Sequence, residues 1–279
     1  MDFKSLGRSG VKIPVLGLGT WKMGSMGSLN AAVDEAAVRA LRLGMDLGMG
    51  FIDTAEVYGG GHAEEVVAEA LRGKRDSIFL ATKVSPGHLT YDGVLKSCDA
   101  SLKRLETKYV DLYQIHWPNS RIPIEETMKA MERLVKDGKV RHVGVSNFSV
   151  RQTQQAQEAL SRVQLASNQV EYSLMERSIE KELLPFALRA GITIIAYSPL
   201  ARGLISRQSK REEPWRSLTQ IASRYGKTVT QLALNWLIAK EPVVAIPKAA
   251  DLEHVRENVD AQGWKLLEQD EESISRIFK

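Results

Sequence analysis

The chain has 279 residues, 43% of them hydrophobic and 26% charged, which is typical of a globular protein with a sizeable core. Its formal net charge is +4, but basic residues are interspersed with acidic ones, so the charge pattern argues against a nucleic-acid-binding face. The single cysteine, Cys98, excludes an intramolecular disulfide.

The first predicted element is a small β-hairpin. Residues 3–6 and 11–14 form its two arms, and the turn lies around Arg8, Ser9 and Gly10. We expect this hairpin to cover the bottom of the barrel that the rest of the chain predicts.

Eight apolar runs follow in chain order, and amphipathic segments of helical length alternate with them. The predicted strands are residues 15–20, 50–54, 78–83, 110–116, 140–147, 166–171, 192–199 and 243–248. The predicted helices are residues 34–47, 63–71, 91–105, 124–136, 179–189, 217–225, 229–239 and 252–258, with a terminal helix within 264–279. This alternation predicts an α/β fold, a (β/α)8 TIM barrel with the hairpin at its bottom, formed by a single domain over residues 1–279.

Four polar residues stand where predicted strands end. Asp53 and Tyr58 follow the second strand, Lys83 closes the third and His116 closes the fourth. The carboxyl ends of parallel strands form one face of such a barrel, and active sites are built on that face. The four side chains therefore predict an active site.

These four residue types suit the transfer of a hydride to a carbonyl group. The carbonyl oxygen gains negative charge in the transition state, and Tyr58 is the candidate proton donor. A tyrosine hydroxyl has a reference pKa of about 10; Lys83 would lower that pKa, while Asp53 would keep Lys83 charged and in place. His116 would orient the carbonyl oxygen. Taken singly, each residue has a structural alternative, as part of a solvated ion pair, as a rim tyrosine or as a core histidine.

Ordered motifs along the chain resemble the aldo-keto reductase family. The segment from Asp53 to Tyr58 resembles the family's Asp-x4-Tyr motif, Thr82-Lys83 resembles its lysine strand, and residues 112–118 resemble its histidine strand. Further matching segments follow in the family's order at residues 144–148, 168–172, 196–200 and 246–248. The resemblance implies an oxidoreductase that reduces aldehydes or ketones to alcohols with NAD(P)H.

The resemblance also implies that a nicotinamide cofactor lies extended across the barrel mouth. Ser146, Asn147 and Gln169 would hold the nicotinamide amide, and Tyr197 would stack on its ring. The residues implied for the pyrophosphate and the adenosine end are Ser198, Leu200, Thr20, Trp21, Lys248, His254, Glu257 and Asn258. The residue types alone support part of this, because amide side chains pair with a carboxamide and a phenol suits an aromatic face. An isolated Ser-Asn pair is more often a turn or a helix cap.

The cofactor expected from the resemblance is NADP, with NAD as the alternative. Many family members have serine or threonine after the equivalent of Lys248 and arginine where this chain has His254. Here Ala249 lacks the hydroxyl and His254 lacks a permanent charge. Lys248 can still neutralise much of a 2′-phosphate, so NADPH remains the expected reductant.

The predicted substrate is a small carbonyl compound, held above the nicotinamide in a pocket of Trp21, Met23, Tyr58, His116 and Trp117. The alternative is a cofactor-binding regulatory subunit with little turnover, and the complete set of four polar residues argues against it. An unrelated barrel hydrolase or isomerase would need paired carboxylates, a metal site or a nucleophile with its base at the strand ends. The sequence offers none of these.

No metal is expected, because the five histidines include no pair at metal-ligand spacing. No stretch reaches the roughly 18 apolar residues that a membrane span requires, and residues 1–5 lack the apolar run of a secretory signal. We therefore expect a soluble, cytoplasmic protein without a nucleic-acid or membrane partner. The sequence leaves the oligomeric state open.

Overall fold

The computed structural model describes residues 1–23, 31–207 and 212–278. Its first element is the predicted hairpin, in which strands β1 (Phe3–Ser5) and β2 (Lys12–Pro14) pair antiparallel. After β1, the Gly7 N–H donates to the Thr193 Oγ1 at 2.7 Å. Thr193 begins a strand of the barrel, so the hairpin lies at the amino ends of the strands, at the bottom of the barrel as predicted.

Eight parallel strands form one sheet whose order follows the chain. They are β3 (Leu18–Gly19), β4 (Phe51–Asp53), β5 (Phe79–Val84), β6 (Val110–Ile115), β7 (Val140–Ser146), β8 (Leu165–Glu171), β9 (Thr193–Tyr197) and β10 (Val243–Ala245). The two ends of the sheet meet, because the Gly17 N–H donates to the Ala245 oxygen at 2.8 Å and the Ala245 N–H donates to the Val15 oxygen at 2.9 Å. These bonds close the sheet into the predicted (β/α)8 barrel.

The helices of the described residues lie around this barrel. In chain order they are α1 (Ala31–Asp46), α2 (His62–Leu71), α3 (Tyr91–Arg104), α4 (Ile124–Lys136), α5 (Val150–Glu158), α6 (Leu183–Ala190), α7 (Leu204–Arg207), α8 (Trp215–Arg224), α9 (Val229–Ile238), α10 (Leu252–Val259) and α11 (Glu268–Ile277). Each predicted helical segment overlaps one of them. Of the terminal segment, the described residues 264–278 are helical only over α11.

The seam between the first and last strands is shorter than predicted. Strand β10 ends at Ala245, although the predicted strand extends to residue 248. Pro247 has no N–H to give to the ladder, which explains the early end. On the other side of the seam, a Cβ on Gly19 would lie 2.7 Å from the Ile246 oxygen, so the close approach of the two chains requires glycine there.

Two helices differ from what hydrophobic periodicity predicts. Helix α6 begins later than predicted, because Pro185 lacks an N–H and fits only in a first helical turn. Helix α5 has no apolar stripe, since only Thr153 and Ala156 are buried. Its start is instead encoded by a capping box, in which the Ser149 and Gln152 side chains each accept from the other residue's N–H.

The barrel interior changes from apolar to polar along the strands. Every second strand residue points inward, and the lower layer is a buried cluster of Leu6, Ile13, Phe51, Ala81, Leu112, Ala166, Ile195, Val244 and Ile246. Two residues beyond Phe51, Ala81 and Leu112 stand the buried residues Asp53, Lys83 and Gln114. The apolar layer therefore supports a polar layer at the carboxyl ends of the strands.

Over the described ranges, no helix is both long enough and apolar enough to cross a bilayer. The same ranges contain no group of three or more His, Cys, Asp or Glu side chains arranged to hold a metal ion.

Candidate active site

A buried ion pair forms the floor of the candidate site. The Lys83 Nζ donates to the Asp53 Oδ1 at 2.6 Å and to the Thr54 oxygen at 2.7 Å. Lys83 is fully buried and Asp53 is 1% exposed. A charge in such surroundings needs a partner. The register of β4 and β5 pairs Asp53 with Ala81, two residues before Lys83, so both side chains point into the barrel from neighbouring strands. This pair is therefore buried, not the solvated pair of the structural alternative.

The second carboxylate oxygen of Asp53 accepts from two amides inside the barrel. The Gln169 Nε2 donates to the Asp53 Oδ2 at 2.8 Å, and the Gln114 Nε2 donates to the same oxygen at 3.3 Å. Together with Lys83, these donors give both carboxylate oxygens of Asp53 hydrogen-bond partners. Gln114 was not singled out in the sequence; its signal is a polar residue at an inward position of a strand that is buried throughout.

Tyr58 lies above the ion pair, at the start of the turn Tyr58–Gly61 that leads into α2. Its hydroxyl oxygen is 3.3 Å from the Lys83 Nζ, so the predicted tyrosine–lysine contact is present. Burial raises the pKa of Tyr58 above its usual value of 10.0, although the Lys83 charge acts to lower it. The expected direction of the net pKa shift was wrong because desolvation outweighs the ammonium. The hydroxyl consequently keeps its proton at neutral pH.

Opposing effects act on Lys83 and His116. Burial lowers the pKa of Lys83, but the charges of Asp53 and Tyr58 together raise it above its usual value. Burial and the Lys83 charge lower the pKa of His116 to about 3. The imidazole therefore stays neutral beside Tyr58, whose ring centroid lies 5.6 Å from the His116 ring centroid in an edge-on contact.

The neutral state of His116 predicts a specific dependence of stability on pH. Its pKa is depressed in the folded state, so the unfolded chain gains a proton first as pH falls below about 6.5, and stability falls from there toward about pH 3. Between about pH 7 and about pH 5, this effect should cost about 2 kcal/mol. Urea unfolding at both pH values measures the free energy of unfolding. Its decrease from the higher to the lower pH should be smaller in His116→Asn than in wild type by that amount. Equal losses in the two proteins would contradict a desolvated imidazole.

One cavity of about 890 Å³ opens above this cluster at the carboxyl ends of the strands. It brings together most of the residues predicted for the site. These are Thr20, Trp21, Asp53, Tyr58, His116, Trp117, Ser146, Asn147, Gln169, Tyr197, Ser198, Leu200, Lys248, His254, Glu257 and Asn258. Lys83 lies beneath the cavity and reaches it through its contact with Tyr58.

Met23 does not line this cavity, which corrects the prediction that it belongs to the substrate pocket. Its side chain is 1% exposed and packs in the main hydrophobic core. Trp21 and Trp117, by contrast, are 46% and 49% exposed at the cavity. An apolar, flexible thioether side chain suits a core gap as well as a pocket rim, so the sequence could not distinguish the two.

Asn147 links the strands on one wall of the cavity. Its Nδ2 donates to the His116 oxygen at 3.0 Å and to the Ser146 Oγ at 3.1 Å, while its Oδ1 accepts from the Tyr197 hydroxyl at 2.9 Å. The Ser146 hydroxyl donates to the Gln169 oxygen at 2.9 Å. Asn147 has a φ of 63°, so it is held in a left-handed conformation and is not a helix cap. This wall offers amide and hydroxyl groups beside an aromatic face.

Another part of the cavity wall, called the basic end, carries two lysines whose charges interact. Lys248 and Lys22 both line it, and burial together with the Lys22 charge lowers the pKa of Lys248. No carboxylate of the described residues contributes to that shift. An under-compensated pair of ammonium groups in a half-buried site favours a ligand with several negative charges. His254 also lines the cavity.

Lys22 and Arg202 line the cavity, although the sequence did not identify them. Lys22, Asn147, Ser198 and Arg202 all have positive φ, at 62°, 63°, 48° and 57°. Non-glycine residues held in this region of backbone space tend to cluster at ligand sites. The strain depends on tertiary packing, so no local sequence signal reveals it.

Comparison with known proteins identifies relatives over almost the whole chain. The family model described as "Aldo/keto reductase family" matches residues 15–279. Methylglyoxal reductase YeaE of Escherichia coli (strain K12) is 41% identical over 248 residues, which cover 89% of this chain and 85% of the relative. Aldo-keto reductase YhdN of Bacillus subtilis (strain 168) is 33% identical over 319 residues, covering 100% and 94% respectively.

Solved structures share the fold. A thermostable aldo-keto reductase, Tm1743, in complex with the inhibitor epalrestat, is 44% identical with a TM-score of 0.93, covering 99% of this chain and 100% of that chain. An aldo/keto reductase from Klebsiella pneumoniae, in complex with NADP and acetate, is 39% identical with a TM-score of 0.88, covering 100% and 96%. The similarity therefore extends over nearly the whole chain.

Proposed function

Because this chain belongs to the aldo/keto reductase family, we propose that it reduces small aldehydes and ketones to alcohols with NADPH. One observation carries the proposal: the Tyr58 hydroxyl, the buried Lys83–Asp53 pair and neutral His116 meet at the floor of one cavity. The bound cofactor supplies the hydride. The residues of this chain bind and orient the reactants and supply the proton.

Tyr58 is the proposed proton donor to the carbonyl oxygen. Its pKa lies above its usual value, so the proton is present at neutral pH. As negative charge develops on the substrate oxygen, the proton moves from the Tyr58 oxygen, and the Lys83 ammonium at 3.3 Å stabilises the tyrosinate that remains. Asp53 holds Lys83 charged. His116, uncharged, orients the carbonyl oxygen by a hydrogen bond.

The cavity fits an extended dinucleotide. The amide wall formed by Ser146, Asn147 and Gln169 would hold the nicotinamide amide, with Tyr197 against the ring, and the basic end would hold phosphate groups. Around the pyrophosphate and adenosine the proposed contacts are Thr20, Trp21, Ser198, Leu200, Lys248, His254, Glu257 and Asn258. NADP in the related Klebsiella pneumoniae structure supports the choice of NADP over NAD, and use of both remains part of the proposal.

Replacing His254 by arginine tests how the chain selects its cofactor. A permanent charge at this position should form a charge-assisted hydrogen bond to a 2′-phosphate, of roughly 1.5–3 kcal/mol. His254→Arg should therefore favour NADPH over NADH by about tenfold to a hundredfold more than wild type does. Dissociation constants for both cofactors, from quenching of intrinsic fluorescence at low salt, measure the ratio.

A matched control adds the same charge away from the cavity. Gln155 is exposed on α5 and does not line the cavity, so Gln155→Arg should leave the ratio at its wild-type value. If His254→Arg also left the ratio unchanged, His254 would not face the phosphate, and Lys248 would be the remaining proposed contact.

The substrate class is proposed from the pocket and the relatives. Trp21, Tyr58, His116 and Trp117 form a largely apolar rim around the proposed reaction centre. One relative is named as a methylglyoxal reductase and another, from Escherichia coli, as an L-glyceraldehyde 3-phosphate reductase. These names support a small carbonyl compound as the substrate.

The activity is tested by following loss of reduced-nicotinamide absorbance across a panel of aldehydes, ketones and sugars with each cofactor. We expect turnover with NADPH and at least one small aldehyde. Tight cofactor binding without absorbance loss for any substrate would favour the alternative, a regulatory subunit. The comparisons give no support to that alternative, since the relatives described above are named as reductases.

We further propose that residues 1–279 act as a single domain and that the protein works in the cytoplasm. The continuous sheet order supports the first point, and the bacterial relatives are consistent with the second.

A further inference from the structure

We infer that Glu56 is a positioning residue, whose carboxylate ties the loop carrying Tyr58 to the end of the strand carrying Lys83. The inference rests on the proposed function, because it concerns the placement of the proposed proton donor. Glu56 does not line the cavity, and its carboxylate makes no hydrogen bond to the Lys83 or Asp53 side chains.

The loop after β4 remains attached to β5 although the strand has ended. The Thr54 N–H donates to the Ala81 oxygen at 2.9 Å, and the Glu56 N–H donates to the Lys83 oxygen at 3.3 Å. One step further, the Ser85 N–H donates to the Glu56 Oε1 at 2.6 Å. The side chain of Glu56 thus replaces the backbone carbonyl that a longer strand would have offered to Ser85.

The carboxylate is buried and takes both of its partners from one turn. Its side chain is 8% exposed, so leaving it without donors would be costly. Besides the Ser85 N–H, the His88 Nδ1 lies 3.0 Å from the same oxygen. The same nitrogen lies 3.2 Å from the Ser85 Oγ and 3.0 Å from the Ser97 Oγ, so it joins the carboxylate to the hydroxyls of this turn and of α3. Ser85 and His88 flank Pro86, and Glu56 therefore holds both ends of the turn that follows β5.

The position of the proton donor depends on this attachment. Tyr58 follows Glu56 by two residues, and its N–H donates to the Ala55 oxygen at 3.0 Å. The loop from Thr54 to Tyr58 is therefore compact, and a displacement of Glu56 should displace Tyr58 as well. At 3.3 Å, the contact from the Lys83 Nζ to the Tyr58 hydroxyl is already at the long end of hydrogen-bond distances. A small outward movement of the loop would break it.

Two pairs of variants test the carboxylate and the amide separately. Glu56→Ala removes the acceptor, while Glu56→Gln retains a carbonyl oxygen that can accept from Ser85. Ser85→Pro removes the N–H donor and places the proline ring where the Glu56 Oε1 now lies, so the carboxylate is displaced, while the φ of −71° at Ser85 suits proline. Ser85→Ala retains the N–H and removes only the hydroxyl.

Glu56→Ala and Ser85→Pro should lower kcat by about tenfold to a hundredfold, with KM and the cofactor Kd nearly unchanged. Glu56→Gln and Ser85→Ala should stay within about threefold of wild type. The alkaline limb of the kcat profile should move to higher pH in the two damaging variants, because a more distant Lys83 lowers the pKa of Tyr58 less. Rates are expressed per cofactor-binding site, from fluorescence titration.

A stability control uses the same kind of bond elsewhere. The Glu132 Oε1 accepts from the Ser161 and Arg162 N–H groups at 2.6 Å each, away from the cavity. Glu132→Ala should destabilise the fold without altering kcat or its pH profile.

The outcomes are distinct. If kcat and its pH profile were unchanged in both Glu56→Ala and Ser85→Pro, the inference would be overturned. Turnover by the wild type would still uphold the proposed function. Equal losses in Glu56→Ala and Glu56→Gln, with Ser85→Pro active, would also overturn it. If Glu56→Ala does not fold, the Ser85→Pro and Ser85→Ala pair still decides. Absence of turnover in wild type would instead contradict the proposed function itself.

Discussion

Tyr58→Phe is expected to lower kcat by on the order of 10² or more, because a positioned proton donor contributes about 10² to 10⁴ to the rate. The cofactor Kd should stay close to that of wild type, since only the hydroxyl is lost. Steady-state rates of NADPH oxidation with a small aldehyde, combined with fluorescence titration of the cofactor, measure both quantities. The phenyl ring retains the edge-on contact with His116.

The Tyr197→Phe variant provides a comparison for Tyr58→Phe. It removes the hydroxyl that donates to the Asn147 Oδ1, so its main effect should be on cofactor affinity. Near-normal kcat in Tyr58→Phe would contradict the assignment of Tyr58 as the donor, whichever way the Tyr197 variant behaves.

Lys83→Met should damage turnover to a comparable extent, by on the order of 10². Removal of the ammonium takes away the charge that stabilises tyrosinate, and the pKa of Tyr58, which burial has already raised, should rise further. The alkaline limb of the kcat profile should then move to higher pH or lie beyond the pH range in which the rate can be measured. Rates across the pH range measure the effect.

Lys83→Met also leaves the Asp53 carboxylate buried without its charged partner, which costs about 3–5 kcal/mol of stability. The double variant Lys83→Met with Asp53→Asn removes that unpaired charge and should recover much of the lost stability, but not the turnover. If the double variant regained wild-type turnover, Lys83 would act only through the fold. Thermal unfolding and kcat of both variants separate the two effects.

Much of the site could be predicted because strand alternation determines where side chains point. Asp53 and Lys83 follow Phe51 and Ala81 by two residues. The positions of β4 and β5 in the sequence therefore also predict the buried pair. The barrel could be predicted for the same reason, since apolar runs alternate with amphipathic segments. The end of β10 was harder to predict from the sequence, because Pro247 stops the hydrogen-bond ladder within an apolar run.

Other features depend on contacts between distant parts of the chain. The sequence shows that Lys83 can approach Tyr58, but the net pKa of Tyr58 depends on how fully packing removes water from the hydroxyl. The apolar side chain of Met23 would suit the rim of a pocket, but it lies in the core. Lys22 and Arg202 reach the cavity through strained backbone conformations that no local pattern encodes.

We propose that Tyr58 protonates the carbonyl oxygen during reduction. The most direct measurement is the single-turnover rate of NADPH oxidation by a small aldehyde as a function of pH, in wild type and in Tyr58→Phe. We expect the alcohol formed to equal the NADPH consumed. We also expect the wild-type rate to fall on the alkaline side as Tyr58 loses its proton, and the slow Tyr58→Phe reaction to show no such decrease. An alkaline limb of the same position and size in both proteins, or bound NADPH that is never oxidised, would contradict it.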